Sequence, residues 1–359
     1  MKKIKTAILG CNGLVGRQFA RLLDNHPYFE LLCLTASMRS SGMRYAASIT
    51  NGQALAISEK TASLTIRETT AAAIIESGAR VVFSALPAAV SGELELELRR
   101  NGLFIFTNAS SHRMDAMVPL LIPEVNAPHL DLAKEQLREY PGFIVTNSNC
   151  VVAGLAMALK PLSAYGVQAV TVTTFQAISG AGQRGVAAWD IMGNVIPYIA
   201  DEEEKIARET KKILGTLAGK KIRDHDLEIF PSCSRVPVKN GHLQSVTVEF
   251  SAPVAENEIA TALSGFTAQP QQMALPTAPL RPIIVHDGAD RPQPALDVNA
   301  GEPTRARGMA VTVGRLRSRG QRCSFFLLVH NTLRGAAGGC VLNAELAVKR
   351  GFIPGVTHG

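Results

Sequence analysis

Aromatic residues are scarce in this chain, at 5% of 359 positions with a single tryptophan. A surface that stacks bases needs interleaved aromatics and clustered basic residues. Here a formal charge of +7 is spread along the sequence, which argues against nucleic acid and suits small anionic molecules. Long apolar runs are missing as well. None reaches the roughly 18 residues of a membrane span, and the basic opening Met1-Lys-Lys-Ile-Lys5 leads into a strand without a signal-peptide cleavage pattern. The six cysteines, at 11, 33, 150, 233, 323 and 340, contain no CxxC pair. A chain of this length does not need disulfides to hold a core. The expectation is a cytoplasmic protein with reduced thiols, no metal site, no membrane contact and no nucleic acid. No internal repeat or low-complexity tract is evident.

What is present begins with a β-branched strand at 4–9 and the loop Gly10-Cys-Asn-Gly-Leu-Val-Gly16, followed by a helical pattern. Strand, glycine loop and helix are the context of a dinucleotide fingerprint, although the spacing is GxxGxxG. The glycines permit a tight turn and a close backbone approach to a pyrophosphate. Gly10, Asn12, Gly13, Leu14, Val15 and Gly16 are therefore candidate cofactor contacts; a plain strand-to-helix turn is the alternative. The next strand, at 30–36, ends without the acidic residue that would hold ribose hydroxyls. Ser37, Arg39 and Ser40 stand there instead, a set suited to a 2′-phosphate and hence to NADP. Strands at 80–86 and 103–107 alternate with a helix at 91–100. This βαβ rhythm predicts an α/β fold with a doubly wound parallel sheet. Arg113, in a polar loop after the 103–107 strand, is a candidate anion ligand or a surface salt-bridge arginine. Another strand is expected across 118–126, and an exposed helix at 129–139.

Residues 143–160 carry the strongest chemical signal. A short strand passes through Asn147-Ser148-Asn149 to Cys150 and then into an apolar helix. The free N–H groups at a helix start favour a thiolate and any developing negative charge beside it. A cysteine packed in apolar surroundings is the plainer reading.

Beyond the cysteine the pattern predicts a second sheet. An alternating strand at 167–177 runs through Gln176 into a glycine-rich turn. Asp201 is placed to cap a helix, on which Glu202 and Lys205 share a face. Residues 227–250 are expected to form two strands around a turn at 239–242, with Arg235 on the first and the second, at 243–250, pairing back on it. His242, on that rim, is expected to be exposed to ligand and suits proton transfer near neutral pH. A helix at 255–266, an irregular excursion at 268–308, a hairpin over 309–329 and a final helix through 349 complete the pass. A cofactor loop, an activatable cysteine and a separate histidine together suggest aldehyde dehydrogenation through a covalent thioester.

In this order the segments 10–16, 37–40, 148–150, 176–182, 194–205, 235–242 and 331–337 resemble aspartate-semialdehyde dehydrogenases of the branch found in archaea, fungi and some bacteria. The resemblance runs nearly end to end. It implies that Cys150 is the nucleophile, His242 the general acid/base and Gln176 the group that orients substrate. It implies Arg235 on the substrate carboxylate and Glu202 on the amino group, with Glu203 and Glu204 as close alternatives. Lys205 and Arg113 would hold phosphate, Asn149 would join the substrate set, and Ser179, Gly180 and Asn331 would lie near NADP. The fold implied is a Rossmann-type domain over 1–149, rejoined by 334–359, and a catalytic and dimerisation domain over 150–333 with a mixed sheet, assembled as a homodimer or homotetramer. The activity implied is NADPH-dependent conversion of L-aspartyl 4-phosphate to the 4-semialdehyde. A related acyl reductase such as malonyl-CoA reductase, and a silent NADP-binding paralogue, are the alternatives. Two departures stand out: Ser148 replaces the family's usual proline, and Cys11-Asn12 replaces the usual alanine and threonine.

Overall fold

The computed structural model describes residues 3–49 and 56–353. The chain forms two compact units, Met1–Leu121 with Pro128–Asn147 and Ala337–Gly359, and Ile122–Ala127 with Ser148–Ala336. The division expected at 149/150 and 333/334 did not include the short excursion of Ile122–Ala127 into the second unit. Residues 50–55 lie outside the described residues.

Among the described residues the first unit holds seven strands: β1 (Ile4–Leu9), β2 (Phe29–Ala36), β3 (Ile66–Glu68), β4 (Val81–Ser84), β5 (Phe104–Thr107), β6 (Leu120–Leu121) and β7 (Phe143–Asn147). Their spatial order is β3-β2-β1-β4-β5-β7-β6, and every pair is parallel. β4, β5 and β7 are buried along their whole length, as parallel strands covered on both faces should be. The strand expected over 118–126 shrinks to β6, because Pro123 at the first helical position opens the turn Pro123–Asn126 instead. The helix at Leu132–Glu139 is amphipathic, with Leu132, Ala133 and Gln136 buried. Gln136 receives the Ile144 N–H and donates to the Ile144 carbonyl, at 2.9 Å each, which ties that helix to β7. The final helix, Gly338–Lys349, packs on β5, β7 and the first helix. His26 Nε2 meets Glu345 there at 2.9 Å, with both side chains fully buried. The Tyr28 N–H donates to His26 Nδ1, so the ring proton sits on Nε2 and faces the carboxylate.

The second unit contains a long strand, β8 (Val167–Ala177), a small antiparallel pair, β9 (Thr216–Ala218) and β10 (Lys221–Arg223), and then β11 (Glu228–Val236), β12 (His242–Phe250), β13 (Ile283–His286), β14 (Val311–Arg319) and β15 (Arg322–Val329). The mixed sheet runs β11-β8-β12-β15-β14-β13. The expected pairing of the strand before the 239–242 turn with the 243–250 strand is wrong. β8 lies between them, parallel to β11 and antiparallel to β12. Two neighbouring alternating runs with a turn between them look like a hairpin locally, and nothing local announces that a third strand is inserted. The excursion at 268–308 holds β13, which pairs parallel with β14. Alternation along β12 sends His242, Gln244, Val246, Val248 and Phe250 to the buried face and leaves Leu243, Ser245, Thr247 and Glu249 partly exposed. The helix Cys150–Leu162 covers the buried face. Gly154 permits this close approach, since a Cβ there would come within 3.0 Å of Val329 and Leu327 side-chain atoms.

Candidate active site

The site in the second unit is built by three strand ends and one helix start. Arg235 on β11 pairs directly with Gln176 on β8, and His242 on β12 stands one step beyond the pair Leu243–Phe175. One row across three strands therefore reads Arg235, Gln176, His242, all on the buried face. Cys150 opens the helix Cys150–Leu162, and its side chain is only partly buried. Asn149 is the N-cap, its Oδ1 accepting the N–H groups of Val151 at 2.8 Å and Val152 at 3.3 Å. The cap presents the sulfur at the positive end of the helix.

His242 Nε2 lies 3.2 Å from Cys150 Sγ. The histidine is fully buried, contrary to the exposed rim position expected from the turn; β12 begins at His242 itself and turns the ring inward. Its Nδ1 accepts the Ala177 N–H at 3.0 Å. The Ala177 carbonyl in turn accepts from Arg235 Nη1 at 2.9 Å, so the backbone of one residue fixes both side chains. Gly180 closes over them. A Cβ at that position would sit 2.7 Å from Arg235 Nη1 and 3.0 Å from His242 Cε1. Gly335 does the same from another side, where a Cβ would come 2.7 Å from Cys150 Cβ.

Of the three candidate glutamates, Glu202 is the buried one. Its Oε1 accepts from Gln176 Nε2 and Asn149 Nδ2, each at 3.0 Å. Glu203 instead accepts the Cys233 N–H, and Glu204 is exposed. Asp201 does not cap by its side chain; its backbone is left-handed at φ 57°, and its carboxylate lies 3.6 Å from Lys205 Nζ. Glu209 was missed by the sequence reading. Fully buried, it accepts the Asn149 N–H at 2.7 Å. Its signal was available, since Glu202 and Glu209 are two turns apart and share a helix face. The buried pair Arg334–Glu124, whose Nη1–Oε1 distance is 2.8 Å, anchors the segment 333–337 next to Gly335, and no spacing rule connects residues so far apart. Asn331 ties the same region together, donating to Ser179 Oγ at 2.8 Å and accepting the Gly241 N–H at 2.9 Å.

The electrostatics follow from burial. Burial, followed by the Arg235 guanidinium and His330, pushes His242 from its ordinary 6.5 down to about 3. An unfolded chain takes that proton near pH 6.5, whereas the folded one refuses it until about pH 3. The unfolded state thus binds more protons in this window, and folding loses about 1.4 kcal/mol per pH unit from this group as pH falls through it. Chemical denaturation at pH 7.5 and pH 5 should show a smaller pH dependence for His242→Gln than for the wild type; equal slopes contradict the assignment. Burial also pushes Cys11 and Cys323 up to about 12 and Cys233 up to about 11, and raises Cys340 well above its ordinary value. Ser148 is buried and its hydroxyl has no hydrogen-bond partner. Ser148→Ala is expected to stabilise the fold by about 1 kcal/mol, read as a raised denaturation midpoint; a lowered one shows that the hydroxyl is used.

In the first unit, Gly10 has φ +74°, and a Cβ on Gly16 would lie 2.1 Å from the Gly10 carbonyl oxygen. The helix Leu14–Leu23 starts at Gly13 without a side-chain cap, which leaves its first N–H groups available to an anion. Asn12, Gly13, Leu14 and Val15 line this loop and are partly exposed. Cys11 and Asn12 are absorbed locally, the Cys11 carbonyl accepting from Tyr45 Oη and Asn12 Oδ1 from Ser48 Oγ. Arg39 is exposed on the turn Met38–Ser40, flanked by Ser37 and Ser40, beyond the carboxyl end of β2 and so at the same end of the parallel sheet as the glycine loop after β1. Arg113 is buried in the loop after β5, its Nη2 donating to the Asn108 carbonyl at 2.7 Å.

Residues 5–133 match the family model described as semialdehyde dehydrogenase, NAD binding domain. Residues 159–334 match the one described as semialdehyde dehydrogenase, dimerisation domain. The aspartate-semialdehyde dehydrogenase of Archaeoglobus fulgidus is 40% identical over 98% of this chain and all of its own length. This chain belongs to the aspartate-semialdehyde dehydrogenase family. The Aspergillus fumigatus member is also 40% identical, over 98% of this chain and 99% of its own. In fold, the chain is similar to the crystal structure of the Candida albicans aspartate-semialdehyde dehydrogenase with NADP, with a TM-score of 0.87, 34% identity, and 98% and 100% of the two chains covered. The two-part α/β architecture expected of the family, a Rossmann-like parallel sheet with a mixed-sheet domain, is the one observed. Among the described residues no helix is long and apolar enough to cross a membrane, and no cluster of metal-ligating side chains is found.

Proposed function

We propose that the chain reduces L-aspartyl 4-phosphate to L-aspartate 4-semialdehyde with release of phosphate, on the route to lysine, threonine and methionine. The carrying observation is the sulfur of Cys150 at a capped helix start, 3.2 Å from His242 Nε2. The first unit fits NADP. The Gly10–Gly16 loop has no room for a side chain at Gly16, the helix start is open to a pyrophosphate, and Arg39 with Ser37 and Ser40 supplies donors for a 2′-phosphate. Bound NADP supplies hydride transfer at the substrate carbon.

The protein's own groups do the rest. Cys150 attacks the acyl carbon as a thiolate, phosphate departs, and the acyl group is held as a thioester. Arg235, planar and fixed on the Ala177 carbonyl, is suited to the substrate carboxylate. Glu202 gathers Gln176 and Asn149 and is placed for the ammonium. Lys205 and Arg113 are the phosphate candidates. Ser179, Gly180 and Asn331 form the strap above His242 that we assign to the cofactor side. We also propose a homodimer through the second unit, whose sheet leaves alternate residues of β12 uncovered.

The test is absorbance at the reduced-nicotinamide band with the semialdehyde, with and without phosphate. Phosphate-dependent NADP reduction is expected. Activity with malonyl-CoA and none with the semialdehyde contradicts this reading. Arg39→Ala should weaken NADP by about 10²-fold and NAD little, measured by titration of each cofactor; equal losses show that Arg39 does not read the 2′-phosphate.

A further inference from the structure

The helix Cys150–Leu162 is braced along one face. Cys150, Gly154 and Met157 stand at i, i+4 and i+7 and so share that face. Gly154 lies against Val329 and Leu327, close enough that a side chain would collide with both. Past the end of β15 the chain enters a π-helical segment, Leu333–Ala337, whose wide turn is closed by the Gly335 N–H on the His330 carbonyl at 3.0 Å. This segment reaches the same helix face twice. Arg334 Nη2 donates to Met157 Sδ at 3.3 Å. A Cβ on Gly335 would lie 2.7 Å from Cys150 Cβ, 2.8 Å from its Cα and 3.0 Å from its carbonyl oxygen. Gly335 is not one of the left-handed glycines, so space rather than backbone conformation requires it. Cys150 cannot yield to a larger residue by swinging a side-chain tip aside; its backbone would have to move.

Arg334 is itself held by Glu124, on the turn Pro123–Asn126. Both side chains are buried, and the pair is two-pronged, Nη1 to Oε1 at 2.8 Å and Nη2 to Oε2 at 2.5 Å. Such a pair is a poor source of stability. Desolvating two charges offsets their attraction, and apolar residues of similar size often serve as well or better. What a two-pronged pair does supply is direction, because a planar guanidinium meets a carboxylate in one orientation. We infer that Arg334, Glu124 and Gly335 are positioning residues. The ion pair holds Gly335 against Cys150 and thereby sets where the sulfur stands relative to His242 Nε2, 3.2 Å away. This rests on Cys150 being the nucleophile. A misplacement on the order of 1 Å at reacting atoms costs about 10²-fold in rate.

The experiment replaces the pair by apolar residues, Arg334→Met together with Glu124→Leu, in the full chain. Three quantities are read: the denaturation midpoint, kcat and KM for the semialdehyde, and the pH midpoint of Cys150 alkylation by iodoacetamide. The other cysteines are buried, so alkylation reports residue 150. The expected result is a denaturation midpoint at or above that of the wild type and a kcat lowered about 10²-fold with KM little changed. The alkylation midpoint should rise by about one pH unit, as the sulfur moves away from the groups that favour its ionised form. Wild-type kcat and a wild-type alkylation profile overturn the inference. So does a loss of rate that follows a lowered denaturation midpoint while the alkylation profile stays put, since packing alone produces that. Should the double variant not fold, Gly335→Ala tests the same contact without touching either charge, and a wild-type kcat and alkylation profile there overturn the inference equally. Failure of the functional reading looks different: the alkylation midpoint still moves in these variants, while turnover survives Cys150→Ala.

Discussion

Replacing Cys150 by alanine lowers turnover at least about 10⁴-fold, the scale seen when a covalent nucleophile is removed, and leaves NADP affinity unchanged. The first half follows from chemistry. No other cysteine can stand in for it, since Cys233, placed on neighbouring β11, is buried with its thiol pushed up to about 11. The second half follows from location. The glycine cradle and Arg39 belong to the first unit, whereas Cys150 belongs to the second. Steady-state rates and a cofactor titration on the same preparation check both halves. A variant that keeps more than trace activity, or loses cofactor binding in parallel, contradicts the assignment.

The second large effect is expected at Arg235. Removing a buried, hydrogen-bonded charge from its partner costs about 2–5 kcal/mol, or roughly 30- to 5,000-fold. Arg235→Ala should therefore cut kcat/KM by about 10³-fold, mostly through KM if the guanidinium binds the substrate carboxylate. Because Arg235 Nη1 also holds the Ala177 carbonyl, part of the loss should appear in kcat as His242 loosens. Arg235→Lys keeps the charge but not the planar fork, and should recover only a small part. A variant with normal KM and low kcat would move Arg235 from substrate binding to positioning alone.

Much of this site was legible because it lies at element boundaries. Strand ends and helix starts carry local signals, and Cys150, Gln176 and the glycine loop all sit on one. Arg39 was legible for a different reason, the lack of an acid where a strand ends. What escaped the sequence was what depends on pairing at a distance. β11 and β12 look like a hairpin until β8 is found between them, and that insertion is what brings Arg235, Gln176 and His242 into one row. The inward turn of His242 escaped for the same reason, since the face a strand residue takes depends on which side the Cys150 helix covers. Glu209 was hidden by being one more acid on an acidic helix. Arg334 and Glu124 find each other only in the folded chain. The backbone of Ala177, which holds two side chains of the site, has no signature in residue type at all.

The central claim is that the acyl group passes through the sulfur of Cys150. Mass spectrometry of protein mixed with the semialdehyde and NADP in the absence of phosphate, quenched in acid within one turnover, tests it directly. The account predicts one added aspartyl group per chain, on the peptide that contains Cys150, which disappears when phosphate is added before the quench. Phosphate-dependent turnover with no adduct, or an adduct on any other residue, would contradict it.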